Sequence, residues 1–172
     1  MRDDSRNWKV VECEVNISGS EVTLERVRPS RQTLVSGVAA LTHFEDTLGT
    51  AVGWPEAAQG SSYAVALRRD RVLLVNGPAL DCGWHDHPEL AVTDMTGGYT
   101  VFDLCGADAL QVVKRGTAIN PDLPSRSAAR IFGGLGVILY HISNQERFRF
   151  HVGSAYVPAF VQTVQSYMGK LE

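Results

Sequence analysis

The sequence has few cysteines, and none of them is paired by spacing. Cys13, Cys82 and Cys105 lie far apart and form no Cys-x-x-Cys motif. An odd number of widely spaced cysteines argues against a disulfide framework and against a structural zinc site. We therefore expect a protein of a reducing compartment, and we predict the cytoplasm.

Long apolar runs and an excess of basic charge are also missing. No stretch approaches the ~18 apolar residues of a membrane span, and residues 1–9 carry charges where a secretory signal has an apolar core. The chain has 16 Lys and Arg against 19 Asp and Glu, and its basic residues are scattered. We expect neither a membrane nor a nucleic acid as a partner.

The remaining composition is that of a folded protein, because 44% of the 172 residues are hydrophobic and 20% are charged. This length is sufficient for one domain with a substantial core. We predict a flexible N-terminal tail over residues 1–9 and a single domain over residues 10–172.

Several strands and one helix are predicted in the first half of the chain. Residues 10–15 and 21–27 have strand patterns, and residues 63–67 and 71–75 predict a hairpin. Apolar residues recur at helical spacing from Leu34 to Leu48, which predicts an amphipathic helix from Thr33 or Ser36 that ends at Gly49. Residues 79–89 show no periodicity and are expected to form an irregular connection.

The segment of residues 91–113 predicts a β-hairpin that leads into a helix. Two alternating runs meet at Thr96-Gly97-Gly98, where the glycines would adopt the positive φ of a hairpin turn. Gly106 would permit a tight exit from the second strand, and Asp108 precedes the helix.

The last third of the chain predicts three strands and a closing helix. The strands span residues 128–132, 137–141 and 147–152, and the helix spans residues 155–168 with Phe160 and Val164 on its core face, next to Tyr167 or Met168. The Gly-Gly-Leu-Gly run at 133–136 precedes a strand and predicts a β-turn rather than a nucleotide loop. Together these patterns predict an α+β fold with an antiparallel sheet and packed helices.

Two clusters carry side chains suited to chemistry, and each has a structural alternative. Cys82, His85 and His87 are residue types that bind zinc, but Gly, Pro and Trp around them favour an exposed loop, and we predict no metal site. Asp94 could act as a general base, but an Asp beside Thr96 at a strand end commonly fixes a turn, which we favour.

The remaining polar residues of interest lie in predicted strands. Asp103 is expected on a solvent or interface face. His141 and His151 could face a flavin-bearing partner, although hydrogen-bonded core or surface histidines are more frequent. His43 is expected at the surface and Cys105 as a small buried hydrophobe. No Ser-His-Asp or Cys-His arrangement follows from the spacing, so we predict no catalytic residue.

The residues around the predicted hairpin resemble those of a known family. Val92, Asp94, Met95, Thr96, Gly106, Ala109 and Leu110 follow the pattern of the sarcosine oxidase gamma-subunit family, which is related to the folate-binding domain of the glycine-cleavage T-protein. The similarity extends through the later strands and the closing helix, over residues 90–168. Asn120 and Ser154 depart from it, because the family has an Asp and an Arg there.

The resemblance implies a fold similar to the folate-binding aminomethyltransferase domain. It implies a gamma-subunit-like, non-catalytic component of a heterotetrameric sarcosine oxidase, which oxidises an N-methyl amino acid and transfers a one-carbon unit to tetrahydrofolate. The alpha subunit, with beta and delta, would be the partners. FAD, FMN, NAD and tetrahydrofolate would then be bound by those subunits, and no cofactor by this chain.

Two alternatives to the subunit hypothesis remain open. The chain could be a stand-alone folate-binding or aminomethyltransferase-like protein, with Asp94 and Thr96 as the candidate folate-binding residues. It could also form a homodimer in isolation, through an exposed apolar strand.

Overall fold

The computed structural model describes residues 16–18, 21–118, 120 and 123–169. This part of the chain contains twelve strands, three α-helices and one 3₁₀ turn. The strands are β1 (Asn16–Ser18), β2 (Thr23–Val27), β3 (Gln32–Ser36), β4 (Ala57–Ala58), β5 (Tyr63–Arg68), β6 (Arg71–Val75), β7 (Gly83–Asp86), β8 (Glu89–Asp94), β9 (Tyr99–Cys105), β10 (Ala129–Phe132), β11 (Leu135–Ile142) and β12 (Asn144–Gly153). The helices are α1 (Glu45–Leu48), α2 (Ala109–Gly116) and α3 (Val157–Met168), the last preceded by the 3₁₀ turn Ser154–Tyr156. None of these helices is long and apolar enough to cross a membrane.

The strands form two sheets. The larger sheet has the order β1-β2-β9-β12-β11-β10, with the short β4 added in parallel to β11. The smaller sheet has the order β5-β6-β3-β8-β7. All other pairs are antiparallel, as the α+β prediction requires.

Helices α2 and α3 cover one face of the larger sheet. Apolar side chains alternate along β9 and β12 and point to this face, where they meet the apolar stripes of the two helices. The resulting core contains Phe102, Leu104, Phe148, Phe150, Val152, Val112, Val113, Val157, Phe160, Val164 and Met168. The core face predicted for the closing helix is thereby confirmed, with Met168 buried and Tyr167 partly buried.

The opposite face of the larger sheet packs on the smaller sheet. Ile138, Tyr140 and Ile142 of β11 contact Val65 and Leu73 of the smaller sheet in a second core. The outer face of the smaller sheet is covered by the turns and short helix α1 within residues 37–51, which contribute Ala40 and Phe44. The chain is therefore a four-layer stack in which the two sheets are the inner layers.

Most predicted elements are confirmed. The hairpin of β5 and β6, the strand β2, the three later strands and the closing helix lie close to their predicted positions. Gly133 and Gly134 have φ values of 55° and 85° and form the turn between β10 and β11. Gly106 has a φ of 122°, and an added Cβ would collide with the carbonyl oxygen of Glu21, so the predicted tight exit is confirmed.

The predicted helix from Thr33 or Ser36 to Leu48 is wrong. Leu34 lies in strand β3 at the centre of the smaller sheet, and only Glu45–Leu48 is α-helical. Gly37 has a φ of 153°, which an α-helix cannot accommodate, and Val38 is 94% exposed. The helical spacing was coincidental, because its first members belong to a strand and later ones to turns.

The predicted hairpin at Thr96-Gly97-Gly98 is also wrong. Strand β8 pairs with β3 and β7 in the smaller sheet, whereas β9 pairs with β2 and β12 in the larger one. The turn is closed by bonds from the amides of Gly98 and Tyr99 to the carbonyl of Met95, and neither glycine has positive φ. The segment therefore crosses between sheets.

The connection predicted over residues 79–89 contains one more strand. Residues 83–86 form the edge strand β7, which turns directly into β8. The irregular assignment is therefore wrong for this part. The tail at residues 1–9 and the strand predicted at residues 10–15 lie outside the described residues.

Candidate functional site

Polar side chains fill the centre of the layer between the two sheets. Strand β12 alternates polar and apolar residues, and its apolar residues point to the helices, so its polar residues point to the smaller sheet. The neighbouring strands add further polar groups to the same layer. We call this set the inter-sheet network; its members are Gln32, Tyr63, Asp103, Tyr140, Arg147, Arg149 and His151.

Asp103 is the anionic centre of the inter-sheet network. Its side chain is 0% exposed. Nε and Nη2 of Arg147 donate to its Oδ2 at 2.9 and 2.7 Å. Arg149 donates from Nε to Oδ1 at 2.7 Å and from Nη2 to Oδ2 at 2.8 Å. The prediction of a solvent or interface face for Asp103 is therefore wrong, because a second sheet covers this side of β9.

The two arginines differ in their surroundings. The side chain of Arg149 is 13% exposed and that of Arg147 is 42% exposed. Burial disfavours the charge of Arg149, but hydrogen bonds to Asp103 and the nearby acidic groups outweigh it and raise its pKa. The guanidinium of Arg149 thus keeps its charge inside the protein.

A chain of hydrogen bonds continues from Arg149 to the backbone. Nη1 of Arg149 donates to the Tyr63 hydroxyl at 2.8 Å, which lies 3.0 Å from the Tyr140 hydroxyl. The Tyr140 hydroxyl is 2.7 Å from Nε2 of His151, and Nδ1 of His151 is 2.6 Å from Oε1 of Gln32. Nε2 of Gln32 donates to the carbonyl of Tyr99 at 3.0 Å.

One direction of donation satisfies every group in this chain. Because Nε2 of Gln32 donates to the Tyr99 carbonyl, Oε1 of Gln32 faces Nδ1 of His151 and accepts its proton. Nε2 of the neutral ring then accepts from the Tyr140 hydroxyl, which in turn accepts from the Tyr63 hydroxyl. Burial, with the charge of Arg149, lowers the pKa of His151 to about 3, so this ring is neutral.

The hydrogen-bonding groups of the inter-sheet network already have partners within the protein, which limits the proton transfers they can perform. Burial raises the pKa of Tyr140 well above its usual range. Neither Tyr140 nor His151 has a free lone pair or proton facing solvent, so neither is placed to exchange a proton with a substrate. His151 is confirmed as a hydrogen-bonded core histidine.

The layer between the sheets opens at both ends, and both openings carry arginines. At one end, a cleft of about 340 Å³ contains Arg28, Arg147 and Arg149 beside Asn76 and Ser143; we call it the Arg147 cleft. At the other end, a groove of about 470 Å³ contains Arg68, Arg71 and Arg130 above an apolar floor; we call it the Arg130 groove.

Asp94 and Thr96 line a third cleft, of about 330 Å³, together with Arg31 and Cys82. Oδ1 of Asp94 accepts the amide of Thr96 at 2.8 Å, and the Thr96 hydroxyl accepts the amide of Gln32 at 3.0 Å. Hydrogen bonds from Thr96 lower the pKa of the exposed Asp94 carboxyl. The favoured turn-fixing role is confirmed, and folate binding by these two residues stays a prediction.

The candidate metal ligands lie on and beside the edge strand β7. Nε2 of His85 bonds to the carbonyl of Asp81 at 2.8 Å, and Cys82 and His87 are exposed. Within the described ranges, no group of three or more His, Cys, Asp or Glu side chains could hold a metal ion.

The other residues singled out from sequence have structural surroundings. His141 is buried between Trp54 and Phe148, and its Nδ1 has no hydrogen-bond partner among the described residues. His43 is exposed, as predicted. Cys105 is partly buried, and burial raises the pKa of its thiol.

Sequence reasoning missed most of the inter-sheet network. Gln32, Tyr63, Tyr140, Arg147 and Arg149 were not proposed as site residues. The alternation Arg-Phe-Arg-Phe-His-Val over residues 147–152 was the available signal, because it gives an inner strand one apolar and one charged face. What it could not show is that a second sheet covers the charged face.

Comparison with known proteins supports the fold. No family model matches this sequence, and no curated protein matches it either. A structure of heterotetrameric sarcosine oxidase from Corynebacterium sp. U-96 is similar with a TM-score of 0.70 at 19% identity, over 90% of this chain and 88% of that chain. An aminomethyltransferase T of the glycine cleavage system from Bartonella henselae is similar with a TM-score of 0.52 at 12% identity, over 84% of this chain.

The two similarities differ in extent. This chain spans 45% of the aminomethyltransferase, about half its length, but nearly the whole of the sarcosine oxidase chain. At these identities the likeness shows a shared fold. It confirms the α+β fold and the structural resemblance that the sequence predicted.

Proposed function

We propose that this chain is a gamma-subunit-like structural component of a multi-subunit sarcosine oxidase. The supporting observation is the extent of the fold similarity, which covers 90% of this chain and 88% of a chain of heterotetrameric sarcosine oxidase. The two chains are therefore of similar length. This extent of similarity is the observation that carries the subunit proposal.

The interior supports a structural role. The groups best suited to acid-base chemistry, Asp103, Tyr140 and His151, are fully buried. Tyr140 is bonded to His151, and Asp103 is linked to Tyr140 through Arg149 and Tyr63. A catalytic base must lie within hydrogen-bond reach of its substrate, and these groups are already occupied. In this proposal, reactive cofactors belong to other subunits: FAD, FMN and NAD, with tetrahydrofolate as the one-carbon acceptor.

Partner subunits can be tested in the native host. A tagged form of this chain, expressed there, should co-purify with larger chains that carry visible flavin absorbance and take up oxygen when sarcosine is added. The same chain purified alone from a heterologous host should show neither property. Recovery of the tagged chain without any flavoprotein would contradict the subunit role, and oxygen uptake by the isolated chain would show a self-sufficient enzyme.

The Asp94 cleft favours a second candidate, a folate-binding protein. Its carboxylate and the guanidinium of Arg31 line one cleft, a pairing that could bind the amino groups of a pterin and a carboxylate of a glutamate tail. Calorimetric titration of the isolated chain with tetrahydrofolate tests it. If the chain binds folate here, tetrahydrofolate should bind more weakly to Asp94→Asn, whose side chain can still form the turn. The control Asp46→Asn, at an exposed site, should bind tetrahydrofolate as the wild type does. The subunit proposal expects no tetrahydrofolate binding by the isolated chain.

A further inference from the structure

The Arg130 groove lies where the two sheets separate at one end of their shared layer. One wall is the turn between β5 and β6, with Leu67, Arg68 and Arg71, and the other is the hairpin of β10 and β11. Its floor is continuous with the core between the sheets, because Ile138 and the partly buried Leu34 and Tyr99 belong to both. The groove is thus an opening into the apolar interior.

The groove has a size and lining typical of ligand sites. Its volume of about 470 Å³ falls within the range of roughly 300–1,000 Å³ for small-molecule pockets, which are mainly apolar with a few polar groups. Six of its lining residues on the inter-sheet side are apolar or aromatic, namely Leu34, Leu67, Tyr99, Ala129, Ile131 and Ile138. Ile131 is 62% exposed, so the apolar surface extends outward from the floor.

The polar groups of the groove are three arginines. Nε of Arg71 donates to the Ser36 hydroxyl at 3.1 Å, and Nη1 of Arg130 donates to the carbonyl of Ala129 at 2.7 Å. Among the described residues, no carboxylate forms an ion pair with Arg68, Arg71 or Arg130. This contrasts with the inter-sheet network, where the buried Asp103 pairs with two arginines.

Arg130 is partly buried in this groove and has no carboxylate partner among the described residues, so a bound anion could supply the missing counter-charge. The desolvation that comes with this partial burial lowers the pKa of its guanidinium. Guanidinium groups in such surroundings bind carboxylates or phosphates through directed, charge-assisted hydrogen bonds. An anion that enters the groove would meet the three cationic residues of its lining.

We propose that the Arg130 groove binds a small amphipathic anion, a carboxylate attached to a compact apolar body. The apolar part would occupy the floor formed by Leu34, Leu67 and Ile138, and the carboxylate would lie against the guanidinium groups. The proposal is independent of the subunit role, because it concerns a site on this chain alone.

Octanoate is a suitable probe, with octan-1-ol as its uncharged counterpart. Isothermal titration calorimetry of the purified chain should show saturable binding of octanoate that is at least about tenfold tighter than that of octan-1-ol, a factor that corresponds to about 1.4 kcal/mol. Equal affinities, or no saturable heat with octanoate, would overturn the proposal.

Adjacent arginines provide a matched pair of variants. Arg68 lines the groove, whereas the neighbouring exposed Arg69 does not. Arg68→Gln and Arg130→Gln should each weaken octanoate binding about tenfold, whereas Arg69→Gln should leave it unchanged. If Arg69→Gln weakens binding as much as Arg68→Gln, the effect is one of overall charge and the site assignment is wrong.

A steric variant tests the apolar part separately. Gly136 lines the groove on the same side of β11 as Ile138, and a Cβ placed there would meet no atom within 4 Å. Gly136→Val should therefore fold normally, with an unchanged melting temperature, and abolish octanoate binding by filling the space. A folded Gly136→Val protein that binds octanoate with wild-type affinity would refute the proposed location.

Discussion

Replacement of Asp103 by Asn would keep the size of the side chain and remove its charge. We expect the free energy of unfolding to fall by about 3–5 kcal/mol, the usual cost of removing one partner of a buried ion pair. The protein would lose the anionic centre on which two guanidinium groups depend. The total free energy of unfolding of most small proteins is only about 5–15 kcal/mol, so a loss of this size would be readily measured.

The geometry explains why an amide cannot substitute for the carboxylate. Three of the four arginine hydrogen bonds end on Oδ2 of Asp103, and the fourth ends on Oδ1. In either orientation, the Asn amide places an N–H donor against a guanidinium N–H donor. The Arg149 side chain, at 13% exposure, would also keep its charge without a counterion.

Arg147→Met is the matched control. Arg147 is 42% exposed, so its ion pair is screened by water, and its removal leaves the bidentate pair of Arg149 and Asp103 intact. We expect a loss of about 1 kcal/mol. The assay is urea denaturation at pH 7, followed by circular dichroism and tryptophan fluorescence.

The double variant Asp103→Leu with Arg149→Met separates charge from packing. Removal of both buried charges should recover most of the stability lost in Asp103→Asn, because an apolar pair avoids the desolvation cost. If Asp103→Asn lowers the free energy of unfolding no more than Arg147→Met does, the buried charge of Asp103 does not stabilise the fold, and the prediction is wrong.

Three further predictions concern single residues. His151 is neutral when folded and protonates on unfolding below pH 6.5, so it should lower the free energy of unfolding by about 2 kcal/mol between pH 7 and pH 5. Burial also lowers the pKa of His141, so a His151→Asn variant measured in urea at both pH values should show a clearly smaller decrease than the wild type. Gly106→Ala should cost at least about 2 kcal/mol, because the methyl group meets the carbonyl of Glu21 at positive φ, whereas the unobstructed Gly97→Ala should change the melting temperature little. His141→Leu should leave the urea midpoint unchanged or raise it, because it removes a buried nitrogen that lacks a partner in the described structure; a clear decrease would indicate an unrecognised partner.

The fold was predictable where local patterns decided the structure. The hairpin of β5 and β6 and the closing helix α3 have periodicities that one buried face explains. The errors arose where tertiary pairing decided. Alternation correctly identified β8 and β9 as strands, but it cannot show whether consecutive strands are partners or belong to different sheets.

The candidate site was predictable only in part, for the same reason. Asp94 and Thr96 are two positions apart, so their turn could be read from sequence. Gln32 and His151 are distant along the chain and meet only because two sheets stack. The expectation that Asp103 faces solvent assumed a sheet with one free side, and the smaller sheet covers that side.

The crossover at Met95 to Tyr99 has a consequence for the order of assembly. Strands β3, β5, β6, β7 and β8 come from one continuous stretch, so the smaller sheet can form from neighbouring segments. In the larger sheet, Thr23 of β2 pairs with Cys105 of β9, about 80 positions later, and β9 pairs in turn with β12, which is made later still. During synthesis on the ribosome, the smaller sheet can therefore be completed while the larger one still lacks its final strand, and β2 has only β1 as a partner until β9 is made.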